Sequence, residues 1–288
     1  MRSMDDKQRR SGRADDEPVG AVELVLGAEA AVASIRLPAR EAGVAVVRQF
    51  VAGMASVLHL DEHACEDLKL AATEACTNAV VHAYPNGHSG PMEVEVRTGE
   101  GDDLLMVVRD GGHGPPPQDV LDDDQDGYGL SLIDAVSDEL RLAAADGGGT
   151  ELTIGFSHAR ETGEEPLDVV HSPVLRRVIA MMAAHAGFSM DRLSDAVLVA
   201  ETLAAHAPAH STDGQVKVDI EDRDHGVVMR VGPLVDGGAA ELLEATRLPA
   251  YGPVLEHLAD AVAEESGPDP TTGRDAAEYL VVRLATER

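Results

Sequence analysis

Glu74-Ala75-Cys76-Thr77-Asn78-Ala79-Val80-Val81-His82-Ala83-Tyr84 decides how this chain is read. Its spacing is helical, and steps of four place Glu74, Asn78 and His82 along one stripe. Ala72, Ala75, Ala79 and Ala83 make a narrow packing stripe beside it. Taken alone, such a polar stripe is ordinarily a solvated helix face. Glycine boxes further along the chain give it weight. Asp110-Gly111-Gly112-His113-Gly114 comes directly after an apolar run, Gly127-Tyr128-Gly129-Leu130 opens another helical pattern, and Gly149-Thr150 lies beyond them. Each glycine box by itself is a turn or a loop-to-helix junction, because Gly tolerates positive φ and Asp bonds its own backbone. Coincidence is a poor explanation for all of them in this order.

Outward from that stretch, residues 32–37 read as a strand. Val47, Phe50, Val51, Met54, Val57 and Leu58 recur at helical spacing over 40–58. Asp61 stands at the N-cap of a second helix running to about Ala83, which Pro85-Asn86-Gly87 ends. Met92, Val94 and Val96 alternate with Glu93, Glu95 and Arg97 as a half-buried strand, and a turn leads into a second strand at 104–108. A glycine- and proline-rich loop with an acidic run at 122–126 leads to a helix near Tyr128. Strands at 140–144 and 151–156 flank Gly147-Gly148-Gly149.

The chain has 288 residues, which suggests two domains of about 140 each. Hydrophobic residues are 44% of it but aromatics only 2%, so the cores must be built from Ala, Val, Leu and Met. With 52 acidic against 23 basic residues the formal net charge is -29, a field that repels nucleic acid and anionic lipid. Two cysteines, Cys65 and Cys76, cannot form a disulfide framework or a zinc site alone and read as reduced packing thiols. No stretch reaches the roughly 18 apolar residues of a membrane span. The basic N-terminus lacks the apolar core of a signal peptide, and residues 1–20 read as a disordered tail. The expectation is a soluble, cytoplasmic protein with a first domain at 30–157, a charged linker at 158–166 and a second domain at 167–288.

The motifs together resemble the nucleotide site of the GHKL ATPases, the superfamily of gyrase, heat-shock chaperones and histidine kinases. Within it they look like the bacterial anti-sigma-factor serine/threonine kinases. The resemblance covers about residues 32–156. It implies a Bergerat-type α/β sandwich, an α+β arrangement with helices on one face of a mixed sheet, and it implies ATP and Mg²⁺ as cofactors. By motif position, Asn78 would give its amide oxygen to Mg²⁺, a hard cation that prefers oxygen ligands. Glu74 would be the catalytic base that takes the proton of an attacking hydroxyl. Asp110 would accept from the adenine amine, with Thr150 completing that edge. Gly112 and Gly114 would let the backbone approach base and sugar. Gly127, Gly129 and Leu130 would open a helix whose N-terminus faces the phosphates. The loop at 115–126 would be the lid over ATP, here unusually acidic and carrying Pro115-Pro116-Pro117. For His82, packing under the phosphates and solvent exposure stand as equal alternatives.

Kinases of this type sequester a sigma factor and phosphorylate a serine of a STAS anti-anti-sigma partner, so the resemblance implies both as partners. A histidine kinase would need an acceptor His upstream, and the residues before Val32 contain none. A topoisomerase or chaperone would need a transducer domain. The remaining alternative is a non-catalytic, ATP-regulated module that sequesters a partner.

The second half reads as helix, helix, strand, strand, helix, strand, the order of the first half. Its helices fall at 174–186 and 190–205, its strands at 215–221 and 226–231. A long connection then leads to a helix at 253–265 and a closing strand at 278–284. Glu201-Thr202-Leu203-Ala204-Ala205-His206 sits where the first motif stood, which aligns Asn78 with Ala205. Val231 aligns with Asp110, Ala250 with Gly127 and Ala277 with Thr150. This is the pattern of a degenerate second copy without nucleotide contacts, with an unrelated α/β domain as the alternative. Because the kinases it resembles work as dimers, a tandem copy is expected to pack on the first as an intramolecular pseudo-dimer, the alternative being two separate beads on the 158–166 linker.

Overall fold

The computed structural model describes residues 19–27, 32–84, 89–99, 103–115, 128–157, 171–212, 214–223, 225–269 and 276–287. The tail at 1–18, the helix-ending Pro85-Asn86-Gly87, the loop at 116–127 with Gly127, and the linker at 158–166 lie outside the described residues.

The chain enters on β1 (Ala21–Leu26), where Val22, Leu24 and Leu26 are buried and alternate with more exposed positions. β2 (Val32–Pro38) comes after it with Ala33, Ile35 and Leu37 turned the same way. A helical hairpin is next, α1 (Glu41–Val57) and α2 (Glu62–Asn78). Phe50, Val51 and Met54 make α1's buried stripe. Asp61 caps α2 by accepting from the backbone N–H of Ala64 at 2.8 Å, a bond whose loss costs helices about 1 kcal/mol. The helix expected to reach Ala83 is α-helical to Asn78 and finishes as one π turn, Ala79–Ala83. β3 (Pro91–Thr98), β4 (Leu104–Asp110), α3 (Tyr128–Val136), β5 (Glu139–Ala144) and β6 (Thr150–Phe156) complete the first half.

The second half runs α4 (His171–His185), α5 (Met190–His206), a 3₁₀ turn (Ala207–His210), β7 (Val216–Arg223) and β8 (Gly226–Leu234). Then come α6 (Gly238–Ala245), the short strands β9 (Arg247–Leu248) and β10 (Gly252–Pro253), α7 (Val254–Leu258), β11 (Ala261–Gly267) and β12 (Ala277–Ala285). The helix expected over 253–265 is therefore only α7. At Ala259 the backbone turns extended, and the Ala- and Glu-rich stretch beyond it becomes an edge strand because β12 pairs with it from Ala261 to Gly267. The long connection before it holds α6 and a small hairpin.

Strands of both halves form one ten-stranded sheet, in the order β11-β12-β8-β7-β1-β2-β3-β4-β6-β5. It is the α/β sandwich expected, with helices on the buried face. Every registered pair is antiparallel, where a mixed sheet was expected. The reason is local: between β2 and β3 the chain climbs one helix and descends another, so it returns running the opposite way. β1, which the sequence pattern did not yield, is the seam between the halves. It pairs with β2 on one side and with β7 on the other. On the helix face α1 packs on α4, closely enough that a Cβ on Gly53 would stand 2.8 Å from Val174 Cα. The open face carries ion pairs, with Arg109 donating to Glu95 at 2.9 Å and Glu151 at 2.7 Å.

Strand order alone reads alike from both ends, and the residues correspond in detail. Asp61 and Ser189 each cap a helix through the backbone N–H three residues on. Leu68, Ala71, Ala72, Ala75 and Cys76 are buried in α2, and Ala196, Val199, Ala200, Leu203 and Ala204 occupy the same steps of α5. In the turns before them His59 and Gly187 both have positive φ, 51° and 82°. At the other end Asp138 donates from its N–H to Gly155 O and accepts from Ser157 N, while Asp260 does the same with Arg283 O and Ala285 N. This register corrects the alignment read from sequence. Glu74 corresponds to Thr202, and Asn78 to His206 rather than Ala205. Through the pairings Val108–Leu152 and Val231–Leu280, Asp110 corresponds to Pro233 and Thr150 to Glu278.

Candidate functional site

The end of α2 carries Glu74 and Asn78 one turn apart, both half-buried. The buried alanines behind them seat the helix on the sheet and turn this polar stripe toward α3. Gly129, in the first turn of α3, comes so close that a Cβ there would lie 3.0 Å from Asn78 Oδ1 and 3.4 Å from a Glu74 carboxylate oxygen. Among the described residues neither side chain has a hydrogen-bond or ionic partner. An amide oxygen and a carboxylate thus face a helix N-terminus, the end whose free N–H groups and dipole favour anions. His82 is exposed on the π turn.

Asp110 ends β4, half-buried. Its Oδ1 accepts from Gly112 N at 2.8 Å and from Thr150 N at 3.2 Å, so the carboxylate ties the loop after β4 to the start of β6. Both bonds fall on the same oxygen. Gly112 is required by the scaffold: a Cβ on it would stand 2.2 Å from Ala83 O. This steric need stands beside the expectation that Gly112 admits the base. Gly149 is tighter still, with φ +90 and a Cβ position 2.0 Å from Asp110 O. Gly114 also holds positive φ, +89, at the exit of the loop. Leu130 packs half-buried against the core. Gly127 lies outside the described residues.

Tyr84, which closes the quoted stretch and drew no role from it, holds the floor of this region. Its hydroxyl accepts from Gly111 N at 2.7 Å and donates to Pro91 O at 2.6 Å. Burial pushes its pKa up, against the backbone bond from Gly111. Cys76, buried beneath Glu74 and Asn78, has its thiol pushed up to about 12 by burial and is a packing group. A groove of about 720 Å³ opens on the other face of the sheet, near the seam, lined by Glu23, Arg36, Asp219 and Arg230 among others. None of the motif residues lines it.

No helix among the described residues is long and apolar enough to cross a membrane. Residues 37–156 match the family described as histidine kinase-like ATPase domain. The serine-protein kinase RsbW of Bacillus licheniformis is 34% identical over 127 residues, which is 39% of this chain and 78% of that protein. RsbW of Bacillus subtilis (strain 168) is 34% identical over 122 residues, 38% of this chain and 75% of that one. RsbW of Listeria monocytogenes serovar 1/2a is 33% identical over 127 residues, 40% and 80%. A solved histidine kinase domain of a blue-light activated histidine kinase from Erythrobacter litoralis EL346 overlaps 33% of this chain and 44% of its own. It is 24% identical with a TM-score of 0.28, an overlap that carries no argument. The family match begins at the end of β2 and stops with β6, enclosing Glu74, Asn78, Asp110, Gly129 and Thr150, and the chain belongs to the GHKL, histidine kinase-like ATPase family of the RsbW anti-sigma-factor kinases.

Proposed function

We propose that the first half binds Mg·ATP and transfers its γ-phosphoryl group to a serine of a STAS-domain anti-anti-sigma protein, and that the chain also sequesters a sigma factor. The observation that carries this reading is the approach of Gly129 to Asn78 and Glu74. It sets an amide oxygen and an unpartnered carboxylate against the first turn of α3. Among the described residues no cluster of three His, Cys, Asp or Glu side chains is arranged for a metal. By its motif position Asn78 would be the protein's ligand to Mg²⁺, with phosphate oxygens and water completing the shell. The cation, when bound, neutralises phosphate charge. Glu74 takes the serine hydroxyl's proton as Oγ attacks the γ-phosphorus and the bond to the β–γ bridging oxygen breaks, releasing ADP. Asp110, already oriented by two backbone N–H groups, presents its second oxygen to the adenine amine beside Thr150. Gly114 and the first turn of α3, with Gly129 and Leu130, line the sugar and phosphates.

The second half, in this reading, is a copy that has lost the site. Thr202 stands in place of Glu74, His206 of Asn78, Pro233 of Asp110 and Glu278 of Thr150, and none of these can repeat the proposed contact. The two copies make an intramolecular pseudo-dimer through β1 and the α1–α4 packing. Incubation of the full chain with γ-labelled ATP, Mg²⁺ and purified STAS proteins tests the whole reading. Label on a STAS serine is expected. ATP binding with no label on any of them would leave a partner-sequestering module instead of a kinase.

A further inference from the structure

In the first half the end of α2, the start of β6 and the start of α3 border the proposed nucleotide site, and the loop at 116–127 beside them lies outside the described residues. In the second half the corresponding space is taken by the chain itself. Directly after β8 the backbone winds into α6, which packs on the 3₁₀ turn at the end of α5, on β12 and on β10. Those are the counterparts of the π turn, of β6 and of the approach to α3. Ala239 and Leu242 are fully buried there, and a Cβ on Gly238 would stand 3.2 Å from His210 O. Val235 N donates to the same carbonyl.

The acid has also changed strands. In the first half Asp110, at the end of β4, accepts from Thr150 N across the gap. In the second half Glu278 stands in Thr150's place and reaches back the other way, accepting from Gly237 N at 2.9 Å and Ala239 N at 3.2 Å. Those two bonds hold its carboxyl below the ordinary Glu range, as expected of an acid at a helix N-terminus. Gly237 keeps the positive φ of its counterpart Gly114, 78° against 89°, and in the second half the chain winds into α6 directly beyond it.

We propose that α6 is a built-in occupant of the second half's cleft. It takes the space that a nucleotide would have in an intact copy, so this half is held in one permanently filled state. The proposal rests on the reading of the second half as a copy. It adds to that reading a reason why the lost contacts were not simply left as an empty pocket. An empty cleft would have left the inner face of β12 and the 3₁₀ turn to water, and α6 packs on both.

Hydrogen–deuterium exchange on the full chain, with and without saturating Mg·ATP, tests it. Amides of Leu242 to Ala245 should be protected without nucleotide and change less than twofold when it is added. Glu278→Ala should speed exchange at the start of α6 about tenfold, and Leu242→Ala should speed it throughout that helix. Photolabelling with Mg·azido-ATP should mark first-half peptides alone. Loop-like exchange in α6, protection that appears only with ATP, or label on peptides between 190 and 285 would each overturn the proposal. If no peptide is labelled and the first half shows no response, ATP binding itself has failed. The protection of α6 in the nucleotide-free chain still decides the plug.

Discussion

Leu24 and Ile35 face each other across the middle of the ten-stranded sheet, and each is also the other's counterpart. Ile35 pairs with Val94 on β3, and Leu24 pairs with Val218 on β7, the residue that stands to the second half as Val94 does to the first. The neighbouring pairs Glu23–Arg36 and Val25–Ser34 exchange under the same rule. A pseudo-two-fold axis therefore passes through the Leu24–Ile35 pair, with five strands on each side. β1 lies on the far side of that axis from β2. In space the N-terminal strand completes the second half, at the place β2 holds in the first.

This makes the halves inseparable by cutting the connection between them. Proteolysis within residues 158–170 should yield two fragments that co-elute on size exclusion and unfold in one transition. Removal of residues 1–27 should strip the second half of a central strand and lower its melting temperature sharply. Leu24→Ala, at a fully buried position on the axis, should cost about 2–5 kcal/mol in urea unfolding. Fragments that part and remain folded after the cut would rule out the shared sheet.

Nucleotide binding should have a stoichiometry of one. Asn78→Ala removes the amide that faces the start of α3. Asp110→Asn turns an acceptor toward adenine into a mixed donor and weakens the bridge to Gly112 and Thr150. Titration calorimetry should show affinity reduced at least tenfold in each, with no residual second site in either variant. A stoichiometry of two in the wild type would contradict the assignment.

The first half was legible because its signals are local. Helix period, the Asp61 cap and strand alternation are written within a few residues, and every first-half element from β2 to β6 lies close to where the pattern places it. β1 escaped although Val22, Leu24 and Leu26 alternate cleanly. It comes after a charged lead-in, and one of its two partner strands lies nearly two hundred residues later. β11 escaped for the opposite reason: Ala261 to Gly267 is built of residues that favour helix, and only pairing with β12 makes it a strand. Of the motif residues, Gly129 stands beside Asn78 and Glu74, and Asp110 bonds Gly112 and Thr150. The steric need for Gly112 did not show, because the atom that excludes a side chain there is the carbonyl of Ala83, far upstream on a π turn no pattern announces. Alignment of the second motif slipped by one residue because Glu201 looks like Glu74, whereas burial along the helix sets Thr202 in that place.

Three glycines in one turn should respond differently to alanine. Gly147 and Gly148 hold positive φ with open space around the missing Cβ, so each substitution should cost only the strain of a left-handed residue, about 1–2 kcal/mol. Gly149→Ala meets the Asp110 carbonyl at 2.0 Å as well. It should melt well below the other two and lose nucleotide binding, since β6 must move away from Asp110. Equal melting temperatures for the three variants would show that the close approach is not maintained in solution.

Burial of Cys76 sets an alkaline limit. Its thiol is pushed up from 9.0 to about 12 in the folded chain, so folding favours the protonated form. Stability from this group is complete below the unfolded pKa and drains away as pH rises from about 9 toward 12, by up to about 1.4 kcal/mol per unit. Urea midpoints measured from pH 8 to 10.5 should fall faster in the wild type than in Cys76→Ala, and Cys65 should react with a thiol reagent long before Cys76. Matching slopes in the two proteins would remove Cys76 from the account.

Glu74→Gln separates binding from chemistry. The amide is nearly isosteric, it keeps its place one turn from Asn78 and beside Gly129, and it leaves Asp110 untouched, so affinity for Mg·ATP should stay within about threefold. It cannot take a proton at neutral pH. A general base of this kind contributes about 10²–10⁴-fold, and transfer to a STAS serine should fall within that range in single-turnover assays with saturating partner. Glu74→Asp should recover only part of the rate, since its carboxylate is drawn back from the start of α3 by one methylene. Thr202→Glu, the reciprocal change in the second half, should add no activity, because His206 offers no metal ligand of the Asn78 kind and α6 stands in the cleft. Transfer at the wild-type rate in Glu74→Gln would show that the proton leaves by another route and that Glu74 serves only to position the serine.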